Sequence, residues 1–158
     1  MLDSVTLPIP DCITLLRKNI VLDPGFKTFY EWCRSESIPV IVVSSGMEPL
    51  IRALLTDLVG PTADEIEIIS NQVDIKEDGS WEIVYRDESD FGHDKSKAIR
   101  PYNTLPQGQR PELFYCGDGV SDLSAARETD LLFAKHGHGM ALPLHPHPQP
   151  LTFILQQS

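Results

Sequence analysis

The run Pro39-Val40-Ile41-Val42-Val43 constrains the fold more than any other stretch of this chain. It is β-branched and has no polar interruption. A strand with one wet face alternates, so this one is covered on both faces, as strands of parallel sheets between helix layers are. Ile66-Glu67-Ile68-Ile69, Leu113-Phe114-Tyr115-Cys116 and Leu131-Leu132-Phe133-Ala134 read as further strands. Amphipathic helices fall between them. Asp23-Pro24 is an N-cap followed by a first-turn proline, and Phe26, Phe29, Tyr30 and Cys33 then recur at helical spacing. Leu50, Ile51, Leu54, Leu55 and Leu58 stripe a helix over 47–59 that Gly60-Pro61 stops. The alternation predicts an α/β fold: a three-layer, Rossmann-like core with parallel strands near 39–44, 66–69, 112–116 and 130–134. Alternating residues on either side of Glu77-Asp78-Gly79-Ser80 predict a β-hairpin near 72–86.

A length of 158 residues suits one domain with a sizeable core. The net charge of −10 argues against nucleic acid as a partner, because a phosphate-backbone binder needs a basic footprint. No apolar run approaches a membrane span, so no membrane partner is expected. Met1-Leu2-Asp3-Ser4 lacks the basic and apolar regions of a signal peptide. Cys12, Cys33 and Cys116 match no metal-binding spacing and read as reduced thiols of a cytoplasmic protein. Asp11 to Arg17 reads as a short helix capped by Asp11. Beyond Gly137, Pro143, Pro146, Pro148 and Pro150 forbid helix and most sheet pairing. The apolar end, Leu151 to Leu155, has no evident partner in the pattern, and His136, His138, His145 and His147 fit no structural zinc site.

Three loops carry the chemistry. The strand ending at Cys116 breaks at Gly117-Asp118-Gly119, and Ser121-Asp122 then open a helix. Two acids thus sit at the carboxyl edge of a strand, where open α/β sheets bind ligands and where Mg²⁺ finds carboxylate oxygens. Ser44-Ser45-Gly46 ends the β-branched strand beside the next helix N-terminus, an arrangement that suits phosphate. Lys95 lies before another helix start and is a flexible point charge suited to phosphate oxygens. Taken singly, each loop also has a plain reading: a glycine turn with a capping acid, an ordinary N-cap, a solvated lysine. Lys97 competes with Lys95 for the third role.

Together, in this order, the three loops resemble motifs of the haloacid dehalogenase superfamily, closest to its phosphoserine-phosphatase-like branch. Val-Ile-Val-Val-Ser44-Ser45-Gly46 is similar to the family's second motif, Lys95-Ser96-Lys97-Ala98-Ile99 to its third, and Gly117 to Asp122 to its fourth, Gly-Asp-Gly-x-[Ser/Asn]-Asp. The resemblance covers roughly residues 20–135. It implies that Ser44, Ser45, Gly46 and Lys95 bind phosphate, with Ser44, Lys95, Asp118 and Asp122 forming the catalytic set. It implies that Asp118 binds Mg²⁺ while Asp122 supports the metal's waters. The substrate class it implies is a small phosphorylated molecule such as phosphoserine. The family's first motif, Asp-x-Asp, supplies the attacking carboxylate on the central strand. In this chain no two aspartates are separated by a single residue. The expected organisation is therefore a cap remnant at 1–22, the core at 23–136 lacking its first central strand, and an irregular tail at 137–158. Three readings stay open: a truncated Mg²⁺-dependent phosphomonoester hydrolase, a non-catalytic phosphate-binding or interaction module derived from it, and a plain α/β domain.

Overall fold

The computed structural model describes residues 5–89, 92–117, 122–134 and 154–155. Among the described residues, six strands form one sheet in the order β3-β2-β1-β6-β4-β5. They are β1 (Ile41–Met47), β2 (Glu67–Ile75), β3 (Trp81–Val84), β4 (Phe114–Gly117), β5 (Leu131–Ala134) and β6 (Ile154–Leu155). The helices are α1 (Ile9–Asn19), α2 (Pro24–Ser35), α3 (Glu48–Val59), α4 (Lys95–Asn103) and α5 (Leu123–Ala126), with a 3₁₀ turn at Gly60–Glu65. All pairings are parallel except β2 with β3, the expected hairpin.

The β-branched run explains the layers. Successive side chains of a strand point to opposite faces. Val42 accordingly joins Tyr30, Cys33, Leu55 and Ile66 under α2 and α3. Val43 joins Ile69, Ala98, Ile99, Tyr115 and Ala125 under α4 and α5. Both valines are almost completely buried, at 3% and 1% exposure. Each such residue contributes about 1.5–3 kcal/mol relative to exposure, so this strand anchors both halves of the core.

The structure departs from the sequence reading at three places. The first helix begins at Ile9, after Pro8; Asp11 lies inside the first turn and makes no cap. Its residues Ile9 and Cys12 pack on Leu50 of α3, and Arg17 forms a 2.5 Å ion pair with Asp57. The segments 66–69 and 72–75 are one continuous strand, because Ser70 and Asn71, polar in sequence, are both buried in it at 1% and 2% exposure. The fourth helix carries Pro101 in its last turn and ends at Asn103. Proline removes one late hydrogen bond there, and the side chain of Asn103 ties the last turn to Glu128. Finally, the apolar end is not without a partner. Ile154–Leu155 lies between β1 and β4, with Leu155 aligned to both Val42 and Cys116, so the two halves of the sheet are joined. Buried strand edges need backbone partners, and these residues supply some of them. The proline- and histidine-bearing stretch before them lies outside the described residues.

Candidate active site

Ser44 and Gly117 lie at the same edge of the sheet. Leu155 aligns Val42 with Cys116, so Ser44 is two residues past that level and Gly117 one. At Ser44 the β1–β2 ladder loses register. Val43 pairs with Ile69, but the next pair is Met47 with Asn71, so the Ser44-Ser45-Gly46 segment is longer than the strand it faces. Two buried side chains hold it. Asn71 Nδ2 donates to the Ser45 carbonyl at 2.8 Å, while its Oδ1 accepts from the Arg86 amide at 2.9 Å. His93 Nδ1 lies 2.8 Å from the Ser44 carbonyl, an acceptor only, so this nitrogen carries the proton. Ser44 Oγ accepts from the Gly46 amide at 3.0 Å and stays near the surface of the core at 8% exposure.

The second loop, 86–94, places His93 and Lys95. Asp87 organises it: its carboxylate accepts from the amides of Ser89 (2.9 Å) and Asp94 (2.8 Å). These hydrogen bonds, first among them those of Ser89, hold the Asp87 carboxyl far below the usual carboxylate range. Gly92 has φ +67, and a Cβ there would lie 2.1 Å from the Tyr85 ring. Only glycine fits. Asp94 then caps α4 by accepting from the Ser96 amide at 3.0 Å.

Lys95 is therefore the first residue of a capped helix, and its side chain is only 3% exposed. Its Nζ donates to Asp122 Oδ1 at 2.7 Å, and the Tyr115 hydroxyl donates to the same oxygen at 3.0 Å. Lys97, the competing lysine, is half exposed and lies 3.5 Å from Asp87. Gly117 makes room for Asp122: a Cβ at 117 would sit 2.7 Å from Asp122 Oδ2 and 2.9 Å from the Tyr115 ring. Ser44, Ser45, Gly46, Lys95 and Asp122 are thus all placed at strand ends or helix starts. Asp118, with Gly119, Val120 and Ser121, lies outside the described residues. Among the described residues no group of three or more His, Cys, Asp or Glu is arranged to hold a metal. Of the two acids read as holding Mg²⁺, Asp122 has its Oδ1 shared by Lys95 and Tyr115, and Asp118 lies outside the described residues.

Sequence reasoning passed over Asn71, His93 and Tyr115. Asn71 interrupts a strand pattern with a polar residue. His93 stands two residues before the lysine, and Tyr115 lies in an otherwise apolar strand. Each was a polar group in a buried context, which demands a partner.

The fold is a Rossmann-like α/β core with two anchored loops, 44–46 and 86–94, tied together by His93. The haloacid dehalogenase-like hydrolase family model matches residues 5–127, and the chain belongs to that family. It is 57% identical over 141 residues to Pdp3-interacting factor 1 of Schizosaccharomyces pombe, covering 89% of this chain and 62% of that protein. It is 57% identical over 144 residues to polyol phosphate phosphatase PYP1 of Saccharomyces cerevisiae, covering 87% of this chain and 60% of that protein. A more distant relative is the 2-hydroxy-3-keto-5-methylthiopentenyl-1-phosphate phosphatase of Microcystis aeruginosa, 26% identical over 118 residues, or 75% of this chain and 53% of that one. The chain spans about three-fifths of the length of the two yeast proteins.

Proposed function

We propose that this chain is the phosphate-binding core of a phosphomonoester hydrolase acting on small phosphorylated polyols. The observation that carries this reading is the buried lysine. Lys95 is held at a helix start by a buried carboxylate, at the sheet edge where Ser44-Ser45-Gly46 breaks register. Phosphoryl transfer needs charge on oxygens neutralised and the group positioned, and a preorganised cation beside hydroxyl and amide donors does both. The Ser44-Ser45-Gly46 segment binds the phosphoryl oxygens, with the Ser44 hydroxyl, oriented by the Gly46 amide, as a donor, and Lys95 neutralises them. Asp122 acts through Lys95 as a positioning residue. Mg²⁺ belongs to the proposal, with Asp118 as its carboxylate; when bound it would neutralise further charge on the phosphate. The polyol preference follows the Saccharomyces cerevisiae relative, a polyol phosphate phosphatase, with phosphoserine the competing substrate. The free thiols of Cys12, Cys33 and Cys116 favour a reducing, cytoplasmic setting.

Hydrolysis needs an attacking group as well. With no Asp-x-Asp in these residues, the chain by itself should release phosphate from glycerol 3-phosphate at the background rate. A strand ending in Asp-x-Asp, supplied by extending the N-terminus, should restore Mg²⁺-dependent release that Asp118→Asn abolishes. An extended chain that stays inactive contradicts the reading. A clear rate from the unextended chain, lost in Asp118→Asn, would mean that another carboxylate attacks phosphorus.

A further inference from the structure

We propose that His93 is the residue that selects hydroxyl-bearing phosphate esters, its Nε2 accepting a hydrogen bond from a substrate hydroxyl. The inference rests on the phosphate-ester reading above and names what recognises the rest of the molecule. His93 is 3% exposed, and its Nε2 is a buried polar atom with no hydrogen-bond partner among the described residues. Buried polar atoms without partners are rare in folded proteins, and one beside a binding site calls for a ligand group. The position supports this. The ring ties together the two loops of the proposed site: its Nδ1–H donates to the Ser44 carbonyl, and its backbone lies two residues before Lys95.

The ionisation state fixes what Nε2 can do. Because Nδ1 donates to a carbonyl, the neutral ring leaves Nε2 as an acceptor. Burial, helped by the charges of Arg86 and Lys95, pushes the His93 pKa down from its ordinary value; the Ser44 carbonyl and Asp87 oppose this more weakly. A neutral acceptor cannot bind a phosphate dianion, which has only lone pairs to offer. It can bind a hydroxyl on a carbon near the phosphate. A site that holds a buried acceptor for an OH rejects the analogue without it, because the acceptor is then left unpaired.

The test compares glycerol 3-phosphate with propyl phosphate, which has the same phosphate and chain length but no hydroxyls. Titration calorimetry on the purified chain should show glycerol 3-phosphate binding about three- to tenfold more tightly, the effect of one neutral hydrogen bond. His93→Asn keeps a donor near the Nδ1 position and deletes Nε2. In this variant the ratio of the two affinities should fall to about one, whatever the absolute affinity. His93→Gln, which places an amide near the Nε2 position, should retain part of it. The ¹⁵N resonance of His93 Nε2 in the unaltered chain should shift with glycerol 3-phosphate and not with propyl phosphate, a readout independent of how the variants fold. Equal binding of the two esters, a preference that survives in His93→Asn, or an unmoved Nε2 resonance overturns the role of His93 and leaves the phosphate reading standing. Binding of neither ester overturns both.

Discussion

At the scale of single residues the account turns on the Lys95–Asp122 pair. Both side chains are out of water, at 3% and 0% exposure. Removing one partner of a buried pair leaves the other charge desolvated, at a cost of about 3–5 kcal/mol, whereas replacing both with apolar groups is often close to neutral. Lys95→Met should therefore lower the urea midpoint sharply, and Lys95→Met with Asp122→Leu should recover much of the loss. Equal midpoints for the single and double variants would show that the pair is not coupled. His93 adds a pH dependence. Its pKa is lowered in the folded state, so the unfolded chain binds the proton more readily. The stability associated with neutral His93 is full above the ordinary histidine value of about 6.5 and is lost as pH falls below it. Urea midpoints between pH 7 and pH 5 should fall more steeply for the unaltered chain than for His93→Asn; parallel curves would refute this.

At the scale of elements the informative unit is α4 with the loop that feeds it. Asp94 caps the helix that carries Lys95, and Asp94→Ala should cost about 1 kcal/mol, read as a shift in thermal midpoint. Gly92→Ala should cost more, since its Cβ would overlap the Tyr85 ring and the residue holds positive φ. A Gly92→Ala variant as stable as Asp94→Ala would mean that the loop yields easily. Sequence reasoning could place this helix start, because Gly92 and Lys95 are local signals. It could not see that Asp87 organises the loop or that His93 reaches Ser44, because both depend on the third dimension. The Asp23-Pro24 cap was legible for the same local reason, and the Asp11 cap failed because the helix is already capped at Pro8, three residues earlier. Ser70 and Asn71 broke the strand pattern because their polar groups are satisfied inside the fold, Ser70 by the adjacent Asn71 carbonyl and Asn71 by the distant Ser45 carbonyl, which periodicity cannot register.

At the scale of the whole molecule, the parallel sheet was legible from Val40 to Val43 and from Leu113 to Cys116, since only burial on both faces explains such runs. The place of Ile154–Leu155 was not, because nothing local in a short apolar segment after four prolines says which strands it joins. Its position between β1 and β4 makes it the bridge of the sheet. Replacing Ile154 and Leu155 with prolines removes both backbone donors and should lower stability by about 1–3 kcal/mol for the groups left unpaired. An unchanged unfolding curve would mean that the sheet holds without that bridge. The bridge also sets the level of Ser44 against Gly117, and so joins the fold to the proposed site. That convergence is tested most directly by backbone amide NMR of the purified chain titrated with glycerol 3-phosphate. The account predicts saturable shifts concentrated at Ser44, Ser45 and Gly46 and at His93 through Ser96. Shifts confined instead to the cleft of Tyr30, Arg34, Val40 and Glu65, at the other end of β1, or no saturable shifts at all, would contradict it.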